Sequence, residues 1–132
     1  MLSIALEAMD ELIDQHPIDP NRIYVTGQSM SGTGTFGAVF NRPNFFAAAI
    51  PVAGGWNPKG ADKMKHTPLW AFHGDSDQVV PTDYSRDIVA AISKAGGSPK
   101  YTEYKGVAHN SWSQTYSSPK TWEWLFKQQR TQ

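Results

Sequence analysis

Apolar residues follow two spacings along this chain, and each spacing predicts a different element. At the start of the chain they recur three to four positions apart, opposite acidic residues, which predicts an amphipathic helix that Pro17 ends. Farther along they form short unbroken runs rich in β-branched and aromatic residues, as in buried strands. The helical positions are Leu2, Leu6, Met9 and Ile13, and the first such run is Ile23 to Thr26.

Helices and strands alternate through the rest of the chain. Helices are predicted over residues 31–40 and 84–94 and from Pro119 onward, and further strands over 46–53, 69–73 and 101–104. A polar loop is predicted over 57–67. The alternation predicts an α/β fold of three layers, α/β/α, with a mostly parallel sheet of about four strands. No repeat or linker interrupts the chain, so a single domain, 1–132, is expected.

The first predicted strand ends in a sharp turn with a serine at its tip. The strand Ile23 to Thr26 meets Gly27, and a helix-compatible stretch follows two residues later. Such a turn exposes a hydroxyl beside a helix N-terminus, where developing negative charge is favoured. The turn needs small residues two positions before and after the nucleophile. Ser29 has Gly27 and Ser31 there, whereas Ser31 would have the β-branched Thr33. Ser29 is therefore the candidate nucleophile, and a serine-rich helix cap is the alternative.

An acidic residue and a histidine follow in a fixed order. The apolar run 68–74 leads into Asp75 and Asp77, and the alternating segment 100–104 leads into His109. The order serine, aspartate, histidine, each just after a predicted strand, is the chain order of hydrolase triads.

Three segments together carry a resemblance to a known family. R-I-Y-V-T-G-Q-S-M-S-G, P-L-W-A-F-H-G-D-S-D-Q-V-V-P and Y-K-G-V-A-H-N-S-W resemble the esterase and predicted-peptidase branch of the α/β-hydrolases, near dienelactone hydrolases, feruloyl esterases and prolyl oligopeptidase-like proteins. The resemblance implies a triad of Ser29, Asp77 and His109. One position departs from the family's G-x-S-x-G turn, because Ser31 replaces the last glycine. Asp75 is the rival acid, with turn formation as its other role.

Each other histidine fits the role of general base less well than His109. A base must titrate near neutrality and reach the serine. His73 ends a predicted buried strand, where a hydrogen-bonded structural role is expected. His16 precedes a proline in a turn and His66 lies in a lysine-rich loop, so both are expected to be exposed.

Composition excludes several classes of partner. Twelve basic and twelve acidic residues balance, which gives no electrostatic footprint for nucleic acid or an anionic membrane. No apolar run is long enough to span a bilayer and no signal peptide is recognised, so a cytoplasmic location is the default expectation. The chain has no cysteine, and its acidic pairs lack the ligand spacing of a calcium loop. No metal and no cofactor is expected.

The resemblance also implies that part of the usual sheet is absent. The family pattern has about eight strands with the nucleophile after the fifth, whereas here it follows the first, so a truncated α/β-hydrolase domain is expected. The N–H of Met30 is the one oxyanion donor identified. The strand Ile23 to Thr26 would then be an apolar edge strand, and such edges favour pairing. A homodimer is therefore expected.

The sequence is interpreted as that of a serine carboxylesterase acting on small acyl esters, with an aryl preference resting on resemblance alone. Gln28, Trp56 and Trp112 are candidate substrate contacts, and core or rim packing is an equal alternative for the two tryptophans. Two other functions stay open: a weak or inactive hydrolase-derived module that dimerises or binds, and a peptidase or acyltransferase with the same triad.

Overall fold

The computed structural model describes residues 2–130. Along the chain, helices and strands alternate as α1 Leu2–Gln15, β1 Tyr24–Gln28, α2 Met30–Asn41, β2 Ala48–Val52, a 3₁₀ helix Pro58–Lys63, β3 Trp70–Gly74, α3 Asp83–Lys94, β4 Lys100–Tyr104, α4 Trp112–Ser117 and α5 Pro119–Lys127.

The four strands form one parallel sheet in the order β1-β2-β3-β4. Successive side chains of a strand point to opposite faces. Ala49 and Ala71 accordingly pack with the core that includes Phe36 of α2, while Ile50 and Phe72 pack with Leu125 of α5. The predicted three-layer architecture with a four-stranded parallel sheet is confirmed, and it is the architecture of an α/β-hydrolase.

Two segments differ from the sequence prediction. The predicted polar loop 57–67 contains the 3₁₀ helix, which begins at Pro58 because the Asn57 side chain accepts a hydrogen bond from the Lys59 N–H. Helix α4 was not predicted, since its six residues carry no apolar period and its turn is stabilised by polar contacts such as the Thr115 hydroxyl with the Ser111 carbonyl.

Strand β1 lies at one edge of the sheet. It pairs with β2 from Tyr24↔Ala48 to Gln28↔Val52, and no other strand within residues 2–130 pairs with it. Across the same described residues, none of the helices combines the length and apolar character that crossing a bilayer requires.

Candidate active site

Ser29 occupies a strained turn between β1 and α2. Its φ of 55° and ψ of −121° lie in a region that residues with a side chain rarely adopt. The surrounding backbone holds the turn, because the Ser29 N–H donates to the Val52 carbonyl at 2.9 Å and the Thr33 N–H donates to the Ser29 carbonyl at 3.0 Å. The hydroxyl is thereby fixed at the carboxyl end of β1, beside the first turn of α2.

Glycines allow this turn to pack tightly. A Cβ on Gly27 would lie 2.3 Å from the Ser31 carbonyl oxygen, and one on Gly32 would lie 2.3 Å from the Val52 carbonyl oxygen. Both distances are far below contact, so neither position accepts a side chain without backbone movement. The exposed Ser31 takes the place of the family's last glycine, and the close approach to β2 is made one residue later, at Gly32.

The structure brings Ser29, His109 and Asp77 together in one hydrogen-bonded chain. Ser29 Oγ lies 2.8 Å from His109 Nε2, and His109 Nδ1 lies 2.8 Å from Asp77 Oδ2. The three residues follow β1, β4 and β3, whose carboxyl ends meet at one edge of the parallel sheet. The distances are those that transfer of a proton from the hydroxyl to the imidazole requires.

The carboxylate of Asp77 is buried and fully hydrogen-bonded. Its Oδ1 accepts the backbone N–H groups of Val79 and Val80 at 2.9 Å each, and its Oδ2 faces His109. Burial by itself would raise the pKa of Asp77, but the hydrogen bonds from His109, Val80 and Val79 outweigh it and the pKa is lowered. The side chain is therefore ionised at neutral pH, as a group that stabilises an imidazolium must be.

Asp75, the rival acid, has a different position. It is exposed, and its Oδ1 accepts hydrogen bonds from the Ser76 hydroxyl at 2.9 Å and from the Gly106 N–H at 2.7 Å. These contacts tie the loop after β3 to the loop after β4. The geometry therefore fits the turn-forming role for Asp75 and places Asp77 against the histidine.

His73 is fully buried at the end of β3 and hydrogen-bonded through both ring nitrogens. Nδ1 lies 2.8 Å from Ser85 Oγ and Nε2 lies 2.9 Å from the Val80 carbonyl oxygen. Nε2 also lies 3.2 Å from Asp77 Oδ2. Sequence reasoning identified a buried histidine here but missed its contact with the acid. The four-residue spacing of the histidine and the aspartate in H-G-D-S-D was a signal for that contact. The segment is a loop, however, and a loop has no regular repeat from which the direction of a side chain can be predicted. His16 and His66 are both exposed.

Met30, the residue after the serine, begins α2, and its side chain is 81% exposed. The first N–H groups of a helix have no acceptor within that helix. The Met30 N–H therefore remains available to an oxyanion formed at Ser29. Gln28 is exposed on the other side of the serine, at the end of β1.

The two candidate tryptophans occupy different places. The Trp112 ring meets the His109 ring edge to face, with 5.0 Å between centroids and an interplanar angle of 86°. Trp56 instead packs 5.5 Å from Phe40 and lies over Gly37 and Gly60 on the α2 side of the sheet. This geometry keeps Trp112 as a candidate wall of the site and favours the packing role for Trp56.

An open apolar groove of about 750 Å³ runs beside the serine turn. It lies between α1, β1 and the start of α2, and its lining includes Leu2, Leu6, Met9, Val25, Met30 and Trp56. Within residues 2–130, no three histidine or acidic side chains converge as metal ligands would.

The parallel sheet, the serine on a sharp turn at its carboxyl edge and the acid and histidine on neighbouring loops together define the α/β-hydrolase class. The sequence profile of the prolyl oligopeptidase family matches residues 5–70, half of the chain, including the serine turn. The chain belongs to the prolyl oligopeptidase family.

Several relatives and solved structures similar to this chain are esterases. The crystal structure of a thermostable esterase superposes with a TM-score of 0.94 at 41% identity, covering 98% of this chain and 36% of that one. A "Probable carboxylesterase" of Oryza sativa subsp. japonica is 27% identical over 128 residues, which is 89% of this chain and 48% of the relative. A bifunctional acetylxylan esterase/xylanase of Neocallimastix patriciarum is 33% identical over 75 residues, 56% of this chain and 11% of the relative. The chain thus spans about half the length of the rice relative, and less of the others.

Proposed function

We propose that this protein is a serine hydrolase that cleaves carboxylic esters through an acyl-enzyme. The observation that carries the proposal is the continuous hydrogen-bonded chain from Ser29 through His109 to Asp77, with 2.8 Å at each link. A serine hydroxyl is a weak nucleophile until a neighbouring base takes its proton. The strained turn and the ionised acid also support the proposal, and the Met30 N–H at the start of α2 is the one oxyanion donor proposed.

The geometry supports a two-step reaction. Ser29 Oγ attacks the ester carbonyl carbon while its proton passes to His109 Nε2, and Asp77 stabilises the resulting imidazolium. The Met30 N–H donates to the oxyanion of the tetrahedral intermediate. His109 then protonates the leaving alcohol as the carbon–oxygen bond breaks. In the second step His109 removes a proton from water, the hydroxide attacks the acyl carbon, and Ser29 is released with its proton restored.

The names of the relatives favour an ester over other acyl compounds. Those cited above are a carboxylesterase, an acetylxylan esterase/xylanase and a thermostable esterase. We propose a substrate with a short acyl group, and Trp112 beside His109 as the apolar wall against which an acyl or aryl group packs. Gln28 is the proposed polar contact on the other side of the serine.

A matched pair of serine variants tests the proposal. Purified protein is expected to hydrolyse p-nitrophenyl acetate and to react covalently with a fluorophosphonate probe. Ser29→Ala is expected to abolish both activities, because it removes the attacking oxygen, whereas Ser31→Ala should retain most of both. Loss of labelling in Ser31→Ala would mean that the nucleophile is assigned two residues too early. An unlabelled wild-type protein would favour the non-catalytic binding module.

A peptidase is the second candidate, because the matching profile is that of a peptidase family. Amide and ester cleavage use the same three groups, so the leaving-group preference decides between them. Parallel assays with p-nitrophenyl acetate and with a peptide p-nitroanilide make the comparison. A kcat/KM for the anilide equal to or above that for the ester would replace the esterase proposal with the peptidase.

We also propose a homodimer in which a second copy covers the apolar groove and the free edge of β1. The support is the apolar lining of the groove, the exposed Met30 beside it and the unpaired edge of β1. Burying apolar surface of this kind stabilises an assembly by roughly 25 cal/mol per Å² removed from water. A two-fold dimer is the commonest closed arrangement of identical chains.

A further inference from the structure

His73 is a buried polar residue to which the proposed reaction gives no role. Its side chain is 0% exposed, and it touches the same carboxylate oxygen of Asp77 as His109 does. Burying a polar ring is costly unless its nitrogens are hydrogen-bonded. The partners that satisfy His73 therefore indicate what the residue does.

The neighbours of Nε2 fix the position of a hydrogen. The Val80 carbonyl oxygen at 2.9 Å and Asp77 Oδ2 at 3.2 Å can only accept hydrogen bonds. Nε2 must therefore carry a hydrogen, which it donates to the Val80 carbonyl. Asp77 Oδ2 lies close to two imidazole nitrogens, at 2.8 Å from His109 Nδ1 and 3.2 Å from His73 Nε2.

The other nitrogen of His73 connects the acid to the nucleophile turn. Nδ1 lies 2.8 Å from Ser85 Oγ, and the same oxygen lies 2.8 Å from the Gly54 carbonyl oxygen, so the one hydroxyl hydrogen of Ser85 is shared between these two acceptors. Gly54 in turn packs directly on the first turn of α2, since a Cβ there would lie 2.4 Å from the Thr33 nitrogen. Asp77 and Ser29 are therefore linked by two routes, one through His109 and one through His73, Ser85 and Gly54.

We propose that His73 is a positioning residue that holds the Asp77 carboxylate in place while His109 changes its charge. The proposal rests on the proposed function. During the reaction His109 gains and loses a proton at Nε2, so its attraction for Asp77 strengthens and weakens in every cycle. His73 places a second N–H group 3.2 Å from Oδ2, and this group takes no part in proton transfer. The carboxylate then keeps its orientation when the contact with His109 is at its weakest.

Two substitutions of similar polarity separate this role from a purely structural one. In His73→Gln the side-chain Nε2 reaches the place of the imidazole Nε2 and keeps a donor for Asp77. In His73→Asn the shorter amide reaches only the place of Nδ1, so it keeps the contact with Ser85 and loses the one with Asp77. Ile92→Ala, which removes buried packing on α3 without a polar atom, is the control for general destabilisation.

The expected result is a split between these variants in kcat. His73→Asn is expected to lose more than about 10-fold in kcat, short of the roughly 10⁴-fold loss on neutralising a triad aspartate, with KM within about twofold. His73→Gln and the folded Ile92→Ala are expected to stay within about threefold of wild type. In an Asp77→Asn background, His73→Asn is expected to cost less than about twofold, because coupled residues are not additive. Equal kcat values for the Asn and Gln variants would overturn the proposal. So would a fall in kcat on adding His73→Asn to Asp77→Asn that is as large as the fall it causes in the wild-type protein.

A measurement that needs no activity separates failure of this proposal from failure of the proposed function. Proton NMR of the ¹⁵N-labelled imidazoles follows the His109 Nδ1–H, whose exchange with solvent depends on how well Asp77 is held. Exchange is expected to be faster in His73→Asn than in wild type and to return to the wild-type rate in His73→Gln. Unchanged exchange in His73→Asn would overturn the positioning role, whether or not wild-type protein cleaves the ester. A wild-type protein that leaves the ester intact but shows the expected exchange pattern would reject only the esterase.

Discussion

At the scale of single residues, the site depends on one carboxylate and the groups that hold it. Asp77 accepts hydrogen bonds from two backbone N–H groups and from His109, and His73 lies against the same oxygen as His109. Asp75, two residues earlier and chemically identical, accepts only from exposed loop groups. The difference between the two aspartates is therefore entirely one of environment, which makes them a matched pair for experiment.

Asp77→Asn is expected to lower kcat by orders of magnitude, on the scale of the roughly 10⁴-fold loss seen when a triad aspartate is made neutral. The amide cannot stabilise the imidazolium and favours the wrong tautomer of His109. Asp75→Asn should have a far smaller effect, because its contacts lie in the loops. Steady-state kinetics with p-nitrophenyl acetate measure both. Equal losses would show that the loop as a whole, and not one carboxylate, limits the reaction.

The value of kcat/KM is expected to rise with pH from the acid side. The lowered pKa of Asp77 means that this carboxyl loses its proton below its ordinary range, so it stays ionised across the range of the assay. The remaining ionisation is that of an imidazole, which must be neutral to accept the serine proton, so activity falls as pH falls. A pH series of initial rates tests this. A flat profile between about pH 5 and 8 would contradict an imidazole base.

At the scale of elements, the turn between β1 and α2 depends on backbone contacts that only glycine permits. Gly32 lies against the Val52 carbonyl of β2, and Gly34, one half-turn later in the same helix, has open space around it. Gly32 and Gly34 therefore have opposite roles. Gly32 allows the helix to approach the sheet, whereas Gly34 only loosens the helix.

Gly32→Ala is expected to destabilise the fold by about 1–3 kcal/mol, because the new methyl group would overlap the Val52 carbonyl. Gly34→Ala is the matched control, and it should stabilise the protein by about 0.5–1 kcal/mol by reducing the freedom of the unfolded chain. Urea denaturation gives both free energies of unfolding. A Gly32→Ala variant as stable as wild type would show that α2 can move away from β2 at little cost.

The sequence predicted those helices, strands and turns whose formation depends on residues close together in the chain. Runs such as Ile23 to Thr26 marked the strands, and the glycine and serine spacing located the turn at Ser29. Helix α4 escaped prediction because polar contacts stabilise it. The packing of Trp56 depends on how distant segments meet in three dimensions, and no spacing in the sequence encodes it. The four-residue spacing of His73 and Asp77 indicates that the two are near each other, but the loop between them does not fix their contact.

At the scale of the whole molecule, the β1 edge of the sheet and the groove beside it are open within residues 2–130. The groove beside β1 is lined mainly by apolar side chains, and Ile4 and Leu12 of α1 are 68% and 52% exposed. The three candidate side chains Ser29, Asp77 and His109 all come from one chain and meet on the loops at the carboxyl ends of β1, β3 and β4. Assembly and catalysis can therefore be tested separately.

The purified protein is expected to be a dimer at micromolar concentration, because burying the groove removes apolar surface from water. Light scattering measures the mass directly. Leu6→Glu, which places a charge in the lining of the groove, is expected to yield a monomer, and Glu7→Gln on the exposed side of α1 is the control. A wild-type monomer that stays soluble would reject the dimer and show that the open side needs no second copy.

The sequence separation of the three triad positions has a consequence for folding. Ser29 and His109 are 80 positions apart, and their contact depends on β1, β2, β3 and β4 all lying in register. Parallel pairings between distant segments form slowly, because the chain must close long loops before they are stabilised. Under the proposed mechanism, Ser29 gains its base only after β4 has paired with β3, so reactivity toward a fluorophosphonate probe during refolding is expected to follow formation of the sheet.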